Sequence, residues 1–144
     1  MLFKNVSIAG LAHVDAPHTL TSQEINERLK PTLDRLGIRV DVLGDIAGIH
    51  ARRMWDEDVQ ASDAATLAAR KALDDAGIDV GRVGLLVNTS VSRDFLEPST
   101  ASIVSGNLGV SDECMTFDVA NACLAFINGM DIAARMIERG DIEY

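Results

Sequence analysis

Cysteine is scarce in this chain: there are two among 144 residues, Cys114 and Cys123. Neither their spacing nor their surroundings fits the disulfide framework of a small secreted domain. Basic residues are few as well. Thirteen lysines and arginines against 22 aspartates and glutamates give a net charge of -9, whereas a nucleic-acid or anionic-membrane surface needs a basic patch. No apolar run approaches the ~20 residues of a transmembrane helix. The N-terminus carries Lys4, Asn5 and Ser7 in a strand-like alternation rather than the unbroken apolar stretch of a signal peptide. These absences make a reducing cytoplasm the expected setting. What is present, 47% hydrophobic and 24% charged residues, suits one ordinary globular domain with a real core.

The stretch from Met115 to Gly140 organises the chain. Met115 to Val119 has the β-branched and aromatic content of a short strand, and from Ala122 to Ile137 apolar positions recur at helical spacing. The period switches at Asn121-Ala122-Cys123. Asn128, Asp131, Arg135, Glu138 and Arg139 form one polar face, with Asp131 and Arg135 a favourable pair. Ala122 to Ile127 carry no polar side chain besides the thiol, so the first turn and a half is expected to be buried all round. Cys123 thus falls at the junction of strand and helix, where unsatisfied amides and the helix dipole favour a thiolate and can stabilise an oxyanion. A nucleophile that attacks an acyl carbonyl is one reading of it. A small buried hydrophobe is the other.

The remaining elements alternate. Phe3 to Leu11 reads as a strand. Thr21-Ser22-Gln23-Glu24 is a capping box that opens a short helix to Leu29, broken at Pro31, and a second piece from Thr32 to Leu36 stops at Gly37. Val40 to Trp55 is irregular and glycine-punctuated; Arg52 and Arg53 near its end are either a phosphate grip or a solvated face. Ser62 or Asp63 caps an alanine-rich helix to Ala76 that is expected to pack closely on a sheet. Val83 to Asn88 fits a central parallel strand, and Pro98 at a first helical position opens a helix to Leu108. His13, Asp15 and His18 share a loop, but no fourth ligand is in reach by sequence, so no metal site is assigned. The order is that of a layered α/β fold, a parallel-rich sheet with crossover helices. Asp141 to Tyr144 reads as the approach to a further strand, so the chain is expected to be the first part of a longer protein.

With Asp118-Val119-Ala120-Asn121-Ala122-Cys123-Leu124-Ala125-Phe126 in view, the chain resembles the ketoacyl synthase III-like branch of the thiolase superfamily. The likeness runs through Gly48-Ile49, Arg52, the Gly-Leu-Leu-Val strand and Pro98-Ser99. Val91 to Ser99 is similar to the acyl-CoA condensing enzymes of bacterial long-chain olefin biosynthesis. The resemblance implies that residues 1–144 are the N-terminal half-domain of a thiolase-type fold, with the C-terminal half absent. It implies Cys123 as the nucleophile that accepts an acyl group from a thioester. A histidine and an asparagine of the family's second half have no counterpart here, since His13, His18 and His50 do not occupy those places; the chain alone is therefore expected to be inactive. Val42 and Ile46 stand where related synthases carry the tryptophan and arginine that contact coenzyme A, which leaves Arg52 as the candidate substrate-binding residue.

Glu97 separates two chemistries. The fatty-acid synthases of the branch have an apolar residue there, whereas in the olefin enzymes a glutamate is implied to enter the partner subunit's site as a base. The simpler alternative is a charge favouring the N-terminus of the helix after Pro98. The resemblance implies a homodimer, with Ala101, Ile103 and Val104 expected to pack on a symmetry mate, and places it beside other olefin-pathway enzymes. It implies an acyltransferase that joins two long-chain acyl-CoA molecules head to head, with coenzyme A thioesters as substrates and no cofactor. The alternatives are a decarboxylating ketoacyl synthase III-type enzyme and, from another class, a non-catalytic truncated partner subunit.

Overall fold

A computed structural model describes residues 3–38 and 41–144. The chain divides into two compact units, one of Met1–Val14 with Val59–Tyr144 and one of Asp15–Asp58. Val40, the expected start of the irregular segment, lies outside the described residues.

The larger unit is built on two parallel strands, β3 (Leu85–Asn88) and β4 (Met115–Asp118), paired Leu85 to Met115 through Asn88 to Asp118. Helix α3 (Thr100–Leu108) makes the crossover and lies on both strands, α2 (Ala61–Ala76) packs on α3, and α4 (Ala125–Arg139) touches β3. This parallel pair with its helical connection bears out the expected α/β class. Small side chains permit the close approach: Leu85, Ala101, Val104, Ala125 and Ala134 are buried. At Gly129, an added Cβ would stand 2.7 Å from Thr89 Cγ2 and 3.6 Å from Val87 Cγ1, so this helical glycine admits β3 and its outgoing residue.

Four expectations for this unit are corrected. Phe3 to Leu11 forms no ladder; Phe3 and Val6 are half-buried beside α4, where Glu138 accepts from the Lys4 and Asn5 amides (2.9–3.2 Å), while Ile8 and Leu11 are exposed. Its alternation marked a covered face, and a covered face does not require a strand partner. The alanines of α2 do not close onto the sheet, because a groove of about 490 Å³ separates Ala65, Ala68, Ala69 and Ala72 from Leu86 and Val87. Pro98 is not the first helical residue: Ser99 is the cap, its hydroxyl accepts from the Ser102 amide, and the helix begins at Thr100. Ala101 and Val104 are buried within the unit, which removes them from any surface offered to a symmetry mate.

In the smaller unit, β1 (His18–Thr21) runs antiparallel to β2 (Ala51–Met54), with Leu20 opposite Arg52. Helix α1 (Ser22–Leu36) follows with the expected capping box, in which Thr21 Oγ1 accepts from the Glu24 amide and the Glu24 carboxylate accepts from Thr21. These bonds, the Thr21 hydroxyl first, hold the Glu24 carboxyl below the usual range. Pro31 does not break the helix as expected, although an interior proline costs about 3 kcal/mol. Glu27, whose carbonyl loses its partner, is exposed and open to water; Lys30 and Asp34 bridge the proline at 3.0 Å, and Gly37 closes the helix at φ 69°. The segment expected to be irregular holds a π-helical turn, Val42–Ile46, before β2. The Gly44 amide is the foremost of the bonds that hold the Asp41 carboxyl below its usual range, and Asp41 Oδ2 occupies the space a Cβ on Gly44 would need.

Helix propensity alone predicts that replacing Gly129 stabilises α4. Packing predicts the reverse: Gly129→Leu lowers stability by about 1–3 kcal/mol through overpacking. Denaturation of the parent and variant proteins checks this, and a variant as stable as the parent would refute the close α4–β3 contact.

Candidate functional site

Cys123 stands on a tight turn between β4 and α4. Backbone pairing carries β4 to its end, where the Val119 amide donates to the Asn88 carbonyl at 2.8 Å. The chain then reverses through Asn121 and enters a 3-10 turn, Ala122–Leu124, that runs directly into α4. Ala122 has φ 44°, the one positive φ among the described non-glycine residues. A left-handed conformation costs an L-residue roughly 1–2 kcal/mol, and such outliers persist where the surroundings over-determine them. Here β4 fixes one side, and Asn121 Nδ2 donates to Asn128 Oδ1 at 2.7 Å on the first turns of α4. The elbow aims Cys123 outward.

The expected burial of Ala122 to Ile127 is overturned. Only Ala125 is buried; Cys123 is exposed, as are Leu124, Phe126 and Ile127. Apolarity in the sequence marks a surface that favours cover, and these side chains stay uncovered among the described residues of this unit. The later turns follow the expected polar face, and the Arg135 guanidinium donates to both Asp131 oxygens at 2.7 and 3.2 Å.

Glu97 is exposed in the same unit, three residues before α3. Val91, Phe95 and Leu96 beside it are exposed apolar side chains. The role of helix-terminus charge belongs to another residue: Asp118, at the end of β4, accepts from the Thr100 amide at 3.0 Å and the Ala101 amide at 2.8 Å. Upstream, Asp94 accepts from the Ser62 amide at the start of α2, at 3.1 Å. Neither carboxylate stands out in the sequence, where an aspartate in a loop or at a strand end carries no distinctive spacing.

Arg52 lies half-buried on β2 of the smaller unit, and Val42 and Ile46 are exposed on the π-helical turn. His18 Nε2 meets Asp56 Oδ1 at 2.7 Å.

The two cysteines differ in setting. Cys114 is half-buried ahead of β4, and desolvation, partly offset by a backbone hydrogen bond, pushes its thiol pKa up. Cys123 is exposed.

The chain is 83% identical over all 144 residues to the acyl-CoA:acyl-CoA alkyltransferase of Xanthomonas campestris, spanning 43% of that relative's length. It is 39% identical over 143 residues to the alkyltransferase of Shewanella oneidensis, spanning 41% of it. Among solved structures, cerulenin-bound OleA of Xanthomonas campestris superposes with a TM-score of 0.90 at 84% identity, over 99% of this chain and 41% of that one. A Xanthomonas oryzae structure described as 3-oxoacyl-(acyl carrier protein) synthase III gives the same score and identity, over 42% of its chain. No family profile matches the chain.

Exposure favours Cys123, and desolvation disfavours the thiolate of Cys114. Alkylation by iodoacetamide at pH 7.5 is expected to modify Cys123 about tenfold faster, with Cys114 catching up only above the ordinary thiol range. Peptide mapping over a time course reads both rates; equal labelling at pH 7.5 would contradict the assignment.

Proposed function

The chain belongs to the ketoacyl synthase III-like branch of the thiolase superfamily, matching the N-terminal part of its members, and we propose that it supplies the nucleophile and a base for head-to-head joining of two long-chain acyl-CoA molecules. Cys123 attacks the first thioester carbonyl, forming an acyl-cysteine and releasing coenzyme A. Glu97 of a second subunit removes an α-proton from the second acyl-CoA. The carbanion attacks the acyl-cysteine carbonyl, and the Cys123 thiolate leaves from a β-keto thioester product without decarboxylation.

The observation that carries this reading is the whole-chain match to an acyl-CoA:acyl-CoA alkyltransferase. Solved variants of the Xanthomonas campestris OleA replace one glutamate and one cysteine at the same spacing as Glu97 and Cys123 here, which supports both roles. Apolar side chains exposed beside each, Phe95 and Leu96 at Glu97 and Leu124 and Phe126 at Cys123, suit an acyl chain and a homodimer contact. On this reading residues 1–144 are a half-domain. A histidine and an asparagine of the remaining sequence complete the catalytic set, and Arg52 contributes to thioester binding. No helix among the described residues is long and apolar enough to cross a membrane, and we place the enzyme in the cytoplasm, in olefin synthesis. A decarboxylating synthase is the second reading, favoured by the similarity to a protein described as a 3-oxoacyl synthase III.

In protein expressed from the complete reading frame, Cys123→Ala is expected to abolish acyl-enzyme formation. Glu97→Gln leaves acylation largely intact and lowers condensation about 10²–10⁴-fold, the usual range for loss of a general base. Intact mass reads the first step and product analysis the second. Mixed Glu97→Gln and Cys123→Ala dimers regain condensation in part; no rescue after confirmed subunit exchange would rule out a base delivered across the interface. Condensation that needs a malonyl donor would select the second reading.

A further inference from the structure

We infer that Asp94 and Asp118 are positioning residues for Glu97, a pair of carboxylate tethers that bracket it; this rests on the reading of Glu97 as a base. The Glu97 loop runs from the end of β3 to the start of α3, and its residues from Ser90 to Pro98 are exposed except for Asp94. Asp94, three residues before Glu97, accepts from the Ser62 amide at 3.1 Å. Ser62 is 2% exposed at the first turn of α2, so that anchor is rigidly embedded. On the other side, Asp118 accepts from the amides of Thr100 and Ala101, three and four residues after Glu97, at 3.0 and 2.8 Å. Thr100 and Ala101 are 1% and 0% exposed. An exposed glutamate is thus flanked by two half-buried charged acceptors on helix N-terminal amides, and the residues that donate to them are buried. Such pairs are stronger than neutral hydrogen bonds and gain from the helix dipole.

Asp118 also belongs to the strand that leads into the Cys123 elbow. Its backbone side is fixed independently by pairing with Asn88, next to the Val119-to-Asn88 bond at 2.8 Å. Loss of its side-chain carboxylate therefore loosens the start of α3 and the glutamate ahead of it while leaving the elbow in register. The two half-reactions separate accordingly. Acylation needs the elbow; proton abstraction needs the loop.

The test uses protein expressed from the complete reading frame, with Asp94→Ala, which removes the one acceptor of the Ser62 amide, and Asp118→Asn, which keeps one of its two acceptor oxygens, and a long-chain acyl-CoA as probe. Acyl-enzyme formation is expected to stay within about twofold of the parent, while β-keto product formation falls about 10–100-fold, the scale on which a displaced catalytic group loses rate. Amide exchange at Thr100 and Ala101 is expected to quicken in Asp118→Asn. In an Asp118→Asn, Glu97→Gln double variant the aspartate change adds no further loss, because it acts through the glutamate. Equal losses in both half-reactions, or losses that multiply in the double variant, would mean a general structural role and overturn the inference. Unchanged condensation despite faster exchange would overturn it too. If Asp118→Asn does not fold, Asp94→Ala carries the same comparison. Glu97→Gln measured alone distinguishes the two failures: condensation at the parental rate removes the base itself, whereas blocked condensation with fully active tether variants removes only the tethers.

Discussion

Four parallel rungs between Leu85–Asn88 and Met115–Asp118 hold up everything of chemical interest in the larger unit. Parallel strands end side by side at their C-terminal edge, so the segments that leave them start as neighbours however far apart they lie in sequence. One exit becomes the loop of Glu97, and the other becomes the elbow of Cys123. Helix α3 lays the buried Ala101 and Val104 against the strands, and at Gly129 α4 comes so near β3 that a Cβ would not fit. The precision of the edge thus derives from backbone pairing and small side chains rather than from a large core.

Much of this was legible in the sequence, and the reasons are specific. The β3 run is continuously apolar, the change of period at Asn121 is abrupt, and glycines stand at 37, 77, 109 and 140, each found in the left-handed region at a helix end. Such local signals depend on the chain's own geometry. Burial was less legible. Ala122 to Ile127 read as enclosed and, Ala125 apart, lie exposed, whereas Ala101 and Val104 read as surface and lie enclosed, because hydropathy reports a preference for cover without naming what provides it. Pro31 lies inside a helix for a related reason: a proline's cost is intrinsic, but whether a helix bears it depends on the hydration of the carbonyl it orphans. At the candidate site, Cys123 and Glu97 stood out by residue type and resemblance. Asp94 and Asp118 did not, since their acceptors' partners are backbone amides, which every sequence has.

The positive φ of Ala122 sets a limit on how this region can vary. Branched or bulky residues pay far more than alanine for a left-handed backbone, so most substitutions at 122 are closed. Glycine is the obvious exit, and an alanine codon reaches it by one base change. That step would relieve the native strain, yet it would also give the unfolded chain more freedom and leave the backbone beside the thiol less constrained. Alanine is therefore the residue at which ease of folding and fixity of aim meet, and drift at this codon meets resistance from both directions.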